Sequence, residues 1–226
     1  MRLLSTVSRM LCYLLIGGSS ISCLSSPRGE QKADALPAKT LDKTLLFDGV
    51  SLGKWEAINF GPQGEVSVVD SAICMEMGDG CTGIAWKDEV PRTDYTLSLE
   101  AMRMEGNDFF GSITFPVGED HCTLVVGGWG GTTVGLSNID DEDASENETS
   151  RFMIFKKHRW YPITLTVSDQ KIVATIDRDT VVDFPYAGRR ISIRPDISLT
   201  TPLGIFTWCT TSKIKNIRLQ AHSHQP

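Results

Sequence analysis

Between Leu97 and Leu136 the chain gathers Glu100, Arg103, Asn107, Asp108 and His121, and then Trp129 within the run Gly127-Gly128-Trp129-Gly130-Gly131. Acids, amides and an arginine hydrogen-bond a polyhydroxylated ligand. A glycine tract has no side chains to bury, so it lets a large ring stand clear of the backbone. Trp129 would then be a stacking platform with its indole N–H free to donate; the alternative is a ring folded back as a plug over one end of the domain. Glu100 lies on the polar face of an otherwise apolar strand, where partial burial raises a carboxyl pKa and suits it to exchange a proton. A structural ion pair with a cross-strand lysine such as Lys156 is the competing role. Asp108 and His121 are the candidates for a second proton-transfer group, although a lone histidine at a strand start is often just solvated. Two carboxyls at a suitable separation would permit glycoside hydrolysis. Asn107 and Phe110 complete the set as ligand contacts, and a carbohydrate is the expected partner.

Those residues need short paired strands to hold them. Tyr95 to Met104 alternates cleanly, with Tyr95, Leu97, Leu99 and Ala101 on one face and Ser98, Glu100, Met102 and Met104 on the other. Phe110 to Phe115 repeats the pattern, with Ile113 and Phe115 inward and Ser112 and Thr114 outward. Further strands are expected at 65–69, 72–76, 83–86, 121–127, 132–136, 151–155, 160–167, 203–209 and 214–219. Lys171 to Ile176 and Val181 to Phe184 form a hairpin across Asp177-Arg178-Asp179-Thr180. Many short strands and no convincing long helix predict an all-β, antiparallel sandwich. Its core is predicted from Leu97, Leu99, Ile113, Phe115, Leu124, Leu165, Ile176, Ile205 and Ile217.

The 226 residues suffice for one domain with a substantial core, and the formal net charge of −6 argues against nucleic acid, whose phosphates need a clustered basic surface. Residues 1–22 read as an export signal, with Arg2 and Arg9 ahead of an apolar core from Met10 to Ile16 and small Ser20 and Ser22 before a cut at Cys23. A cysteine in that place also suggests a lipid-anchored lipoprotein, so periplasmic, membrane-attached and secreted locations all stay open. Residues 23–43 read as a tether, 44–220 as the domain and 221–226 as a polar tail. In an exported chain Cys74, Cys81, Cys122 and Cys209 could pair as two disulfides or remain buried thiols. The acidic run Asp140 to Glu148 offers oxygen ligands for calcium without the spacing of an EF-hand, and acidic loops are usually only solvated. No other cofactor or metal is expected.

The motifs, taken in order, resemble one family. Leu46-Phe-Asp-Gly-Val-Ser-Leu-Gly-Lys-Trp55 is similar to the "LFDG-SL-W" opening of the bacterial 3-keto-disaccharide hydrolase domain family. Leu97 to Arg103 resembles its "L-EFR" strand, His158 to Val167 with Val173 to Asp183 its "W-Y-I-V … V-LNG—V-D" hairpin, and Lys215 to Leu219 its terminal "RNIRI" strand. The resemblance spans roughly 44–220 and implies a concanavalin-like jelly roll. It also implies chemistry in which a ketone at sugar carbon 3 acidifies the adjacent C–H, and proton loss expels the anomeric group before water adds. Glu100 would be the acid/base, with Arg103 or Asn107 polarising the ketone. The centre departs from the pattern: Asn107 to Ser112 replaces the family's "NSG—R", and the glycine-flanked Trp129 stands near its "YE-Q". The Glu-x-Asp-x-x-Glu run of laminarinase-type hydrolases is absent too. A non-catalytic carbohydrate-binding module and a laminin-G-like adhesion module are the alternatives.

Overall fold

The computed structural model describes residues 43–222. The export signal, Cys23, nearly all of the tether and the end of the tail lie outside them. Fifteen strands form two antiparallel sheets. The first sheet runs β13 (Asp179–Pro185), β12 (Lys171–Ile176), β11 (Trp160–Val167), β6 (Tyr95–Gly106), β15 (Thr210–Ala221), β4 (Ala72–Met75), β3 (Val66–Val69), with β1 (Lys43–Leu45) also on β15. The second runs β10 (Arg151–Phe152), β9 (Thr133–Ser137), β8 (Asp120–Gly128), β7 (Phe110–Val117), β14 (Gly204–Trp208), β5 (Cys81–Trp86), β2 (Trp55–Ala57). The all-β antiparallel sandwich read from alternation is the fold observed. Every residue predicted for the core is buried, from Leu97 through Ile217. The unforeseen elements are β1, β2 and a 3-10 helix at Pro195–Thr200, each too short to carry a period.

The two sheets differ in what covers them. On β6 and β11 buried and part-exposed residues alternate, as expected for a sheet with one face toward solvent. On β5 and β7 every residue is buried. Ser112 and Thr114, expected outward, do leave the core, yet both are fully buried. The cover is a pair of long connections. Residues 138–150 lie over β9, where Asn147 Nδ2 donates to the Leu136 carbonyl (2.8 Å) and the Leu136 N–H donates to Thr149 Oγ1 (2.8 Å). Residues 186–201 lie over β7, where Thr200 Oγ1 donates to Thr114 Oγ1 at 2.6 Å. Backbone hydrogen bonds between Asn138 and Ser192 join the two connections. Ion pairs reinforce the join: Arg189 with Asp140 and Glu148, Arg190 with Asp141, and Arg194 with Asp143.

At its ends the domain runs slightly beyond the expected limits. Lys43 already pairs with Gln220 in β1, and β15 continues to Ala221 opposite Tyr95. Among the described residues Cys74, Cys81, Cys122 and Cys209 are free thiols. Burial pushes the Cys81 and Cys122 thiols up to about 12, so both are inert at neutral pH.

Candidate functional site

The site is built on the outer face of the second sheet. Thr123 and Val125 of β8 and Ser137 at the end of β9 turn away from the core and line a cavity of about 230 Å³. Aromatic rings supply much of its wall. Phe109 lies 5.3 Å from Trp129, tilted at 51°, and 6.2 Å from Phe206 in a near-parallel stack. Trp208 adds a fourth ring. Trp129 and Trp208 are each 40% exposed, so theirs are the faces a ligand meets first. Charge enters from Asp108 and from Arg194 and Asp196 at the start of the 3-10 helix.

A bulge in β7 decides which phenylalanine reaches the cavity. Phe206 pairs with Ser112 and Thr207 with Phe110, so Gly111 is an extra residue on β7. Without the bulge, with Gly111 paired in its turn, alternation from Ile113 would put Phe110 outside. With it, Phe110 turns inward, packing edge-on against Phe155 (4.9 Å) and Tyr161 (6.0 Å) with no surface left for a ligand. The place on the cavity wall expected of Phe110 is therefore held by Phe109.

Arg103 sits on the core face of β6 and is 2% exposed. Its guanidinium lies over Phe110 (4.6 Å), and Nη2 donates to the carbonyls of Asp108 (3.1 Å), Gly127 (3.2 Å) and Gly131 (3.0 Å). Burial lowers its pKa. Arg103 thus ties the segment carrying Asp108 to the turn carrying Trp129, and does not open onto the cavity. Asn107 does a similar service from outside, donating from Nδ2 to the Gly130 carbonyl at 2.8 Å. The turn needs its glycines: Gly130 and Gly131 have φ of +84° and +101°, and a Cβ on Gly131 would lie 2.6 Å from Asn107 Oδ1.

Asp108 is the titratable residue of the expected set that lines the cavity. Burial raises its pKa, against the opposing effect of backbone N–H groups including that of Phe109, which donates to Oδ1 at 3.0 Å. Such a carboxyl holds a proton more readily and, once ionised, is a stronger base.

Glu100 lies elsewhere. It is on the outer face of the first sheet, where Asn216 Nδ2 donates to Oε1 at 2.6 Å and Lys215 Nζ stands 3.5 Å from Oε2. The thickness of the sandwich, roughly 10 Å between sheets, separates it from the cavity. Glu100 lines a separate, more open pocket with Asn216 and Arg218, and its ion-pair partner is Lys215 instead of Lys156. His121 shares the outward face of β8 with Thr123 but stands one step nearer the strand start and does not line the cavity. Its pKa is lowered by burial and by the charge of Arg92. In the acidic run, Asp140, Asp141, Asp143 and Glu148 face arginines. Among the described residues no group of three or more acidic, histidine or cysteine side chains is placed to hold a metal ion.

The residues that sequence reasoning passed over are Phe109, Arg194, Asp196, Phe206 and Trp208. Trp208 offered a signal, as one of only five tryptophans and at the end of an expected strand. Nothing local ties Arg194 or Asp196 to β8.

Comparison with known families gives a match over residues 42–225 to the 3-keto-alpha-glucoside-1,2-lyase-like domain. The chain belongs to this family. None of the curated proteins matches. Among solved structures it is similar to a carbohydrate-binding module of family 66 from Bacillus subtilis, with 12% identity and a TM-score of 0.53, over 74% of this chain and 96% of that one. The Crh5 transglycosylase is also similar, with 13% identity and a TM-score of 0.56, over 81% and 84% of the two chains. A Bacillus subtilis protein with a galectin-like fold matches with 10% identity and a TM-score of 0.54, over 82% and 97%. At such identities the likeness is one of fold, the jelly roll that the sequence motifs implied.

Proposed function

We propose that the protein takes one ring of a glycoside into this cavity, against Trp129 and Trp208, and cleaves the glycosidic bond with Asp108 moving the proton. The observation that carries the reading is the placement of a half-buried carboxyl of raised pKa among aromatic rings in a half-open pocket. Rings present flat apolar faces to the C–H face of a sugar, while the polar groups orient its hydroxyls. A cavity of about 230 Å³ is smaller than the roughly 300–1,000 Å³ usual for drug-sized ligands, which suits a single ring.

The family's chemistry supplies the bond changes. On a 3-keto-glycoside, the Asp108 carboxylate takes the proton from carbon 2. The C–H electron pair becomes a double bond to carbon 1, and the bond from carbon 1 to the leaving oxygen breaks. The leaving oxygen is protonated, by the newly formed Asp108 acid or by water, and water then adds to the unsaturated ring. Arg194 is the cation on hand to stabilise negative charge developing on the ketone oxygen. Arg103 and Asn107, expected in that role, are engaged with backbone carbonyls instead.

The test is turnover of 3-keto-glycosides by wild type, Asp108→Asn and Trp129→Ala, each first shown to fold. General acid–base catalysis contributes on the order of 10²–10⁴-fold, so Asp108→Asn should lose about that much turnover while retaining affinity. Trp129→Ala should lose affinity. Full turnover by Asp108→Asn would refute the catalytic role. Sugar binding that depends on Trp129 in a wild type that cleaves nothing would establish a carbohydrate-binding protein.

A further inference from the structure

The charged groups around the cavity are unequal in number and in freedom, and this bears on which sugar fits. Selection of this kind rests on the reading of the cavity as a sugar site. Two carboxylates, Asp108 and Asp196, line the cavity with one guanidinium, Arg194, and a third carboxylate, Asp143, pairs with that guanidinium from outside the lining. That guanidinium is already engaged twice, from Nη1 to Asp143 Oδ2 at 2.7 Å and from Nε to Asp196 Oδ1 at 3.1 Å. Burial works against its charge, but the bonds to Asp196 and Asp143 outweigh that and hold its pKa above the usual value. An incoming carboxylate would have to displace one of these partners or share the arginine with both. Asp108, by contrast, forms no ion pair among the described residues. The cation behind it, Arg103, is turned to backbone carbonyls. The aromatic faces add to the bias, because the negative face of an indole or phenyl ring attracts cations.

We infer that the cavity selects a sugar carrying a protonated amine, a glucosamine-type ring with its nitrogen unacylated, and excludes uronates. The ammonium donates to the carboxylates on the cavity wall while the ring lies against the tryptophans. N-acetylation removes the charge and two of the three N–H donors, and leaves the ring unchanged.

Calorimetric titration of the full chain with three probes tests this. The probes are a glucosamine trisaccharide, its fully N-acetylated counterpart and a galacturonate trisaccharide, at about pH 6, where an amine is protonated. A hydrogen bond to a charged group is worth about 1.5–3 kcal/mol, so the amine form should bind about tenfold or more tighter than the N-acetyl form. The uronate should give no measurable heat. Asp196→Asn, on a side chain about half exposed and so of little consequence for folding, removes one partner from Arg194. It should shrink the amine preference and admit the uronate. Equal binding of the amine and N-acetyl forms through Trp129, or tighter binding of the uronate, overturns the charge selection and leaves the sugar pocket standing. If none of the three binds, and neutral glucosides do not either, the sugar-site reading falls with it.

Discussion

Arg103 is the residue whose removal should do most damage. It holds two segments at once, the one leading to Asp108 and the turn presenting Trp129, through three hydrogen bonds of 3.0–3.2 Å. Arg103→Met retains much of the apolar stem over Phe110 and Phe155, so what disappears is the guanidinium. Hydrogen bonds involving a charged group contribute about 1.5–3 kcal/mol each in mutational series. The gross loss is offset because the native cation is itself buried, with Nε lacking a partner. A net destabilisation of about 3 kcal/mol follows, at the low end for breaking a buried charged group's contacts. For a domain of this size one kcal/mol moves the melting temperature by about 2–4 °C, so the variant should melt about 6–12 °C below wild type. Arg103→Lys should fall between, because an ammonium reaches fewer carbonyls without the planar fork. The assay is thermal melting by circular dichroism, paired with quenching of tryptophan fluorescence by ligand. Affinity should fall in both variants at temperatures where they remain folded, since the Trp129 turn is no longer tied down. If Arg103→Met melts within about 2 °C of wild type and binds normally, the guanidinium is not what holds the site together.

Three further outcomes are expected. Because burial raises the Asp108 pKa above its unfolded value, this group's contribution is most favourable below the usual carboxylate range and is lost as pH rises through the folded pKa. Asp108→Asn should therefore raise the melting temperature at neutral pH and lose that advantage in acid; an advantage that instead grows in acid would contradict the burial argument. Glu100→Gln should leave turnover unchanged and alter stability by less than about 1 kcal/mol, as for other part-exposed ion pairs, and a collapse of turnover would return the acid/base role to the first sheet. Gly131→Ala should weaken sugar binding while retaining most of the fold, since the added carbon meets Asn107 at a strained φ; unchanged affinity in a fluorescence titration would show that the turn adapts.

Much of the fold was legible, and for one reason: alternation is a property of each strand by itself. Leu97, Leu99 and Leu165 declare their face within a few residues, and no knowledge of the partner sheet is needed. The same rule placed Glu100 correctly on a polar face, but alternation does not say which of two sheets a strand joins or what lies over it. Strand β6 went to the sheet whose outer face stays uncovered; β8 went to the one that carries the cavity. Trp129 and Asp108 were found because the glycine tract and the acid stand out locally. Arg194 and Asp196 were not, because they arrive from more than fifty residues away and owe their place to a connection with no period at all; Trp208 ends an expected strand, but alternation does not say that this strand lies beside β7.

The tandem Phe109-Phe110 has one more consequence. Normally a strand's register is enforced by its hydrophobic pattern, since a slip of one residue would bury polar groups and expose apolar ones. Here a slip exchanges one phenylalanine for the other, and both the core and the pocket still receive a ring. Composition is therefore neutral between two threadings of this segment. The choice falls to Gly111, whose missing Cβ permits the backbone to pass Ala101, where an added carbon would come within 2.7 Å of the Ala101 Cβ. Pairing Gly111 in turn would carry Phe110 outward and Phe109 inward, whereas losing the glycine from the gene would remove the bulge and leave Phe110 opposite Thr207, two residues from Ile113 and still inward. Which ring the pocket receives is therefore decided by which residue is looped out of the ladder, and not by which residues the strand contains.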